Sequence, residues 1–152
     1  MKRILVAVDG SPGSRAAVAE AIVLAGEAGA ALVFLAVRHA IPVLGEPFYQ
    51  RRLTGQLGRL RPALADALAE AERAGIPAES ELLEGEVVDS ILRAAAARDA
   101  DLVVVGSRGL GAVAGAVLGS VSRALVERSP LPVLVSKHGS GPRQAELVDA
   151  AR

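Results

Sequence analysis

A glycine-rich stretch that follows an apolar run is the part of the sequence best suited to bind a charged ligand. Residues 106–120 read GSRGLGAVAGAVLGS, with glycine at five of fifteen positions, directly after DLVVV. Each fixed glycine costs roughly 0.5–1 kcal/mol relative to alanine inside an element, so a cluster indicates sharp turns or a close backbone approach to a ligand. Backbone N–H groups in such a loop, and at the start of a following helix, bind phosphate oxygens.

Individual residues of this stretch have separate predicted roles. Gly106 and Gly109 allow the chain to leave the strand in conformations denied to other residues. Gly119 and Ser120 begin a helix whose positive N-terminal end favours an anion, and Ser120 is also a candidate N-cap. The hydroxyls of Ser120 and Ser122 are candidate phosphate donors, although Ser122 is as easily explained by structure alone. The stretch therefore reads as a phosphate-binding loop.

The familiar phosphate-binding and catalytic motifs do not match. A P-loop ends in Gly-Lys-Ser/Thr, but Leu118 precedes Gly119-Ser120 here. The dinucleotide fingerprint follows the first strand of its fold, and this loop follows the fourth. Neither His39 nor His138 has partners at metal-ligand spacing, and no Ser-His-Asp set or carboxylate pair is visible. We name no general base, and slow hydrolysis of a phosphate-containing ligand through a bound metal stays an alternative.

The elements that must position this loop alternate between strands and helices. Four segments are apolar enough for strands buried on both faces: RILVAVD, ALVFLAV, DLVVVG and LPVLVSK. A fifth segment, AESELLE, carries three acids and suits a sheet edge. Helical spacing predicts helices after the first, second, third and fourth strands. Pro62 either kinks the second helix or marks its start. The connection after the second strand, RHAIPVLGEPFYQ, is expected to be irregular. The fold class is α/β with parallel strands.

Ligands of open parallel sheets bind beyond the carboxyl ends of the strands, where the winding direction reverses. Asp9 follows the first strand and Gly106 ends the fourth, so both border one crevice if these strands are neighbours. A purely structural role for Asp9, as a cap of the first helix, is the alternative. Arg108 either reaches a phosphate or is solvated.

Four segments together resemble the universal stress protein family. The spacing of Gly106, Gly109 and Gly119-Ser120 matches that family's ATP-binding signature, G-x2-G-x9-G-[S/T]. Three further segments look like the family and occur in its order: VAVDGS, DLVVVGSRGLG and GSVSRALVERSPLPVLV. The resemblance covers roughly residues 2 to 137.

The resemblance implies a five-stranded parallel sheet of order 3-2-1-4-5. It also implies ATP as ligand, often with a divalent cation such as Mg²⁺ or Mn²⁺, with Asp9 on the nucleoside side and the backbone near Val37 against adenine. Many members are homodimers that pair through the last strand, here residues 131–137. The predicted nucleotide-binding residues are Asp9, Gly10, Ser11, Val37, Gly106, Ser107, Arg108, Gly109, Gly119, Ser120, Val121 and Ser122.

Composition excludes several classes of function. The 152 residues carry 17 basic and 17 acidic side chains and no cysteine, so there is no net attraction to nucleic acid or anionic lipid, and no thiolate site. The longest low-charge segment is too short to span a bilayer. We expect a cytoplasmic protein with one nucleotide-binding domain at 1–138 and a flexible tail at 139–152.

Two functions from different classes fit these features best. One is a nucleotide-dependent regulatory module of a stress response, acting on a protein partner that the sequence does not identify. The other is a protein-interaction module of the same fold that binds no nucleotide, against which the complete glycine signature argues.

Overall fold

The computed structural model describes residues 1–42, 45–108 and 118–137 of the chain. Five parallel strands form one sheet in the order β3-β2-β1-β4-β5. The strands are β1 (Arg3–Ala7), β2 (Ala31–Arg38), β3 (Ala78–Glu84), β4 (Leu102–Gly106) and β5 (Val133–Ser136), and the helices are α1 (Pro12–Ala28), α2 (Glu46–Arg73), α3 (Val87–Ala97) and α4 (Ser120–Arg128). The predicted fold class and strand order are confirmed.

The aliphatic strands are buried because helices cover both faces of the sheet. Successive side chains of a strand point to opposite faces, so Ile4 and Val6 pack with α1 and α2, whereas Leu5 packs with α3 and α4. All three of these side chains have no exposed surface. The two helix layers leave the carboxyl ends of the central strands as the place where a ligand can reach the sheet.

The boundaries of α1 follow from its capping residues. Ser11 is the N-cap, and its Oγ accepts a hydrogen bond from the Ser14 N–H at 3.2 Å. Gly29 ends the helix in the left-handed conformation, with φ of 65°. The cap is therefore Ser11, and the alternative in which Asp9 caps the helix is wrong.

Two elements differ from the sequence expectations. The second helix begins at Glu46, inside the connection that we expected to be irregular, because Pro47 at the start of a helix needs no N–H partner and Glu46 complements the helix dipole. Pro62 lies inside this helix and neither starts nor ends it. The last strand covers only Val133–Ser136, shorter than LPVLVSK, since Pro132 lacks the N–H that a longer ladder would use.

The acidic strand β3 lies at an edge of the sheet, as predicted. Its carboxylates pair with arginines: Arg98 binds Glu79 and Glu81, the latter at 2.8 Å, and Arg38 binds Glu84. These partly exposed ion pairs place charge along the open edge, which disfavours its pairing with another chain. They contribute little to the stability of the fold. In the described ranges, no helix has the length and apolarity needed to cross a membrane. The tail at 139–152 lies outside the described residues.

Candidate functional site

The strands β1 and β4 are direct neighbours, which brings their carboxyl ends together. They pair in parallel, with Ile4 opposite Leu102 and Val6 opposite Val104. The chain winds from β1 toward β3 on one side and from β4 toward β5 on the other, so the winding direction reverses between them. This is the position where open parallel sheets bind ligands.

A cleft of about 420 Å³ opens at this position. The volume falls within the roughly 300–1,000 Å³ usual for small-molecule sites. Residues from all four helices and from three strands line it: Ala7, Val8, Asp9, Ser11, Ser14, Leu35, Val37, His39, Arg59, Leu60, Val87, Ile91, Val105, Gly106, Arg108, Leu118, Gly119, Ser120, Val121 and Ser122.

The lining has an apolar part and a polar part. Val37, Val87 and Ile91 belong to the apolar cluster between the sheet and α3, and they present aliphatic surface to the cleft. Asp9 and Ser120 contribute polar groups from the start of α1 and of α4. A ligand that is flat and apolar at one end and charged at the other matches this division.

The N-terminus of α4 opens on the cleft without a side-chain cap. Gly119 is the N-cap and makes no side-chain capping bond, and the first turn carries no acid. Ser120 is the first helical residue, so the prediction that Ser120 is the N-cap is wrong. The N–H groups of this turn have no intrahelical acceptor, and the helix dipole adds partial positive charge. Both features favour an anion at Ser120 and Val121.

Four hydrogen bonds, which we call the clasp, join the ends of the glycine-rich segment to each other and to β5. The Gly119 N–H donates to the Ser107 carbonyl at 2.6 Å, and the Ser107 N–H donates to the Ser136 carbonyl at 2.7 Å. The buried Ser122 hydroxyl donates to the carbonyls of Ser107 and Gly119, at 3.1 and 3.0 Å. Because this proton is committed to the backbone, the expectation that Ser122 donates to a phosphate is not supported. Ser107 lies behind the cleft and is not among its lining residues.

Gly106 is required for a different reason from the one predicted. Its φ is not in the left-handed region, so β4 ends without an unusual backbone conformation. A Cβ at Gly106 would instead lie 2.7 Å from the Gly13 carbonyl oxygen and 2.9 Å from the Ser14 nitrogen. Gly13 is the reciprocal position, since a Cβ there would collide with the Arg108 carbonyl. Sequence spacing gave no signal for Gly13. Gly109 lies outside the described residues.

Asp9 shapes the turn that leads into α1. Its Oδ1 accepts a hydrogen bond from the Ser11 N–H at 2.8 Å, and its N–H donates to the Ser14 hydroxyl at 3.3 Å. Gly10 has φ of 82°, which favours glycine, and it lines a second, smaller cleft rather than the first. Asp9 is half-buried and, within residues 1–42, 45–108 and 118–137, is the one acid that lines the main cleft.

Basic side chains predominate at the rim of the main cleft. Arg108 lines it, as expected, and so do Arg59 of α2 and His39 beyond β2. Arg59 carries no signal in the sequence, because its position in the chain does not indicate which neighbouring element it faces. His39 gave no signal either, since it has no partners at metal-ligand spacing. Together with the α4 N-terminus, these groups favour an anionic ligand. The described part of the chain contains no cluster of three or more His, Cys, Asp or Glu suited to a metal.

The family to which the chain belongs follows from comparison with known sequences. The model of the universal stress protein family matches residues 1–137. The chain belongs to the universal stress protein family. A universal stress protein from Thermus aquaticus, found in the 3′ region of a QAH/OAS sulfhydrylase gene, is 41% identical over 136 residues, which cover 88% of this chain and 97% of that protein.

Solved structures of other members share the fold of this universal stress protein. UspA from Lactobacillus plantarum superposes with a TM-score of 0.80 at 25% identity, covering 89% of this chain and 97% of that one. A universal stress protein in complex with cAMP superposes with a TM-score of 0.70 at 29% identity, covering 91% and 98%. The second relative therefore holds an adenine nucleotide on the same fold.

Proposed function

We propose that this universal stress protein binds an adenine nucleotide in the main cleft, with ATP as its ligand, and serves as a nucleotide-dependent regulatory module of a stress response. The observation that carries the proposal is the uncapped α4 N-terminus, which opens on the cleft beside Arg108 and opposite an apolar wall. The relative in complex with cAMP supports an adenine nucleotide as the class of ligand.

The proposed pose follows the division of the cleft. The adenine ring packs on the aliphatic side chains of Val37, Val87 and Ile91, and the phosphates accept hydrogen bonds from the first turn of α4 and from the Ser120 hydroxyl. A divalent cation enters with the nucleotide and binds chiefly to phosphate oxygens and water, as Mg²⁺ commonly does. Asp9 lines the same cleft, and its carboxylate would support the cation there.

The proposed regulatory action does not require catalysis. Among the residues that the structure describes, the lining includes one carboxylate and one histidine, and their arrangement assigns no general base. We infer that nucleotide occupancy acts by ordering the residues at the cleft, and that the protein assembles as a homodimer through the β5 edge. A partner protein would then distinguish the occupied from the empty form.

The first test is nucleotide extraction followed by thermal denaturation with ATP, ADP, AMP and cAMP, with and without Mg²⁺. We expect ATP to raise the melting temperature, because a ligand that binds only the folded state stabilises it. Ser120→Ala removes one hydrogen bond to a charged group, which weakens ATP binding by about tenfold. Ser80→Ala, at an exposed serine of β3 that does not line the cleft, is the control and should bind ATP like the unmodified protein.

A negative result has a defined meaning in this experiment. If no adenine nucleotide copurifies and none changes the melting temperature, the proposal is wrong, and the protein is an interaction module of the same fold. If ATP binds equally well to Ser120→Ala and Ser80→Ala, the ligand does not lie at the α4 N-terminus.

A further inference from the structure

The start of α1 and the chain that follows β4 are in direct backbone contact. Gly13, the second residue of α1, is buried. A Cβ at Gly13 would lie 2.4 Å from the Arg108 carbonyl oxygen and 3.6 Å from the Arg108 nitrogen. The φ of Gly13 is outside the left-handed region, so this position needs a small residue and not an unusual backbone conformation. Any side chain here would displace main-chain atoms.

The α1 side of this contact is fixed by hydrogen bonds and packing. The Ser11 Oγ accepts a hydrogen bond from the Ser14 N–H at 3.2 Å, and the Asp9 Oδ1 accepts one from the Ser11 N–H at 2.8 Å. The Gly13 carbonyl oxygen and the Ser14 nitrogen pack against Gly106, where a Cβ would lie 2.7 and 2.9 Å from them. The helix start therefore has little room to move.

The other side of the contact carries a residue of the candidate site. Arg108 is exposed and lines the main cleft. Ser107, the residue before it, is held by the clasp at both its N–H and its carbonyl group, so Arg108 is the first residue beyond this attachment. A side chain at Gly13 would therefore displace Arg108 rather than the helix start. The Arg108 guanidinium would then shift relative to the N-terminus of α4, which lines the same cleft.

We propose that Gly13 is a positioning residue for the phosphates of the bound nucleotide and that it acts through Arg108. This inference rests on the proposed function, in which the phosphates lie at the α4 N-terminus beside Arg108. The apolar part of the cleft, formed by Val37, Val87 and Ile91, packs on the face of the sheet opposite α1. Gly13 therefore affects the affinity for the phosphate groups and leaves the affinity for the adenine end unchanged.

Isothermal titration with ATP and with adenosine, both in the presence of Mg²⁺, tests this role. We expect Gly13→Ala to weaken ATP binding about tenfold, as the loss of one hydrogen bond to a charged group does, and to leave adenosine binding unchanged. A merely structural role would weaken both ligands alike. Gly26→Ala is the matched control in the same helix, since its Cβ would make an ordinary contact of 3.6 Å with the Ile76 Cδ1. This variant should bind both ligands like the unmodified protein.

Arg108→Gln provides a second measurement, which does not depend on the folding of Gly13→Ala. It should also weaken ATP binding and leave adenosine binding unchanged. Adding Gly13→Ala to Arg108→Gln should cost little further ATP affinity, because both changes act on the same residue. If Arg108→Gln keeps full ATP affinity, or if the two changes add in full, Gly13 does not act through Arg108 and the inference is overturned.

The outcomes separate this inference from the proposed function. If the unmodified protein binds neither ATP nor adenosine, both proposals fail. If Gly13→Ala binds ATP normally, or weakens ATP and adenosine equally, Gly13 does not position the phosphates and the proposed function stands. A Gly13→Ala protein that fails to fold would show that Gly13 supports the fold as a whole, and this result would also overturn the inference.

Discussion

At the scale of single residues, close packing of backbone against backbone explains why Gly106 is a glycine. The end of β4 packs directly against the start of α1, with no room for a Cβ on Gly106. Such packing holds the end of β4 closely against the start of α1. The glycine signature of the sequence therefore contains at least one residue that serves the protein interior.

Replacing Gly106 by alanine tests this explanation. We expect Gly106→Ala to lower the free energy of unfolding by about 1–3 kcal/mol, because β4 and α1 must separate to admit the methyl group. Gly55→Ala is the matched control. Apart from its own helix, no atom of the described residues lies within 4 Å of the added Cβ, and alanine inside α2 should stabilise by up to about 1 kcal/mol. Urea unfolding measures both. Equal stability of Gly106→Ala and the unmodified protein would contradict the packing explanation.

At the scale of elements, a carboxylate after α3 joins β1 to β4. The Asp101 Oδ2 accepts hydrogen bonds from the Lys2 and Arg3 N–H groups, at 2.6 and 2.9 Å, and the Asp101 N–H donates to the Arg3 carbonyl at 2.8 Å. The backbone hydrogen bonds from Lys2 and Arg3 lower the pKa of Asp101 below its usual value of 3.8. The two central strands are thus aligned at the end opposite the candidate site.

The lowered pKa gives a pH-dependent prediction. A carboxyl whose pKa is lower in the folded state contributes stability above the unfolded pKa, and this contribution is lost as the pH falls through the folded pKa. Asp101→Asn should therefore reduce the melting temperature at neutral pH, and the difference should shrink as the pH falls below about 4. Asp66→Asn, whose carboxylate has no ion pair among the described residues, should show no such trend. A constant difference across this pH range would refute the charge-based role.

At the scale of the whole molecule, the two sheet edges differ in charge. The β3 edge carries three glutamates, whereas the β5 edge, Val133–Ser136, carries no charged side chain. The charged, ion-paired side chains along β3 disfavour the approach of a second strand, and an uncharged edge strand readily pairs with another chain. This asymmetry favours the β5 edge for the proposed homodimer.

Sedimentation at micromolar concentration, combined with hydrogen exchange, tests the dimer. We expect a dimer in which the second chain protects the β5 amides from exchange. Dilution dissociates the dimer, so these amides should then exchange faster. The β3 amides provide the internal control and should not respond to dilution. A monomer at micromolar concentration, or a dimer with equal responses at both edges, would contradict pairing through β5.

Apolar patterning predicted the strands, and the resemblance to the family implied the strand order that places the carboxyl ends of β1 and β4 together. Asp9, Val37 and Ser120 line the cleft as expected. The sequence could not place Arg59 at the cleft, since its position on a helix does not say which neighbouring element it faces. Nor could it distinguish a glycine that faces a ligand from one that faces a neighbouring backbone, as at Gly106.

The backbone part of the clasp has a consequence for substitutions at the ends of β4 and α4. Ser107 and Gly119 are hydrogen-bonded to each other and, through Ser107, to Ser136 of β5, in each case by main-chain groups. A change of side chain at Ser107 or Ser136 keeps these N–H and carbonyl groups in place. The start of α4 is therefore attached to the sheet by the main chain, so side chains around it can vary while the helix N-terminus stays at the cleft.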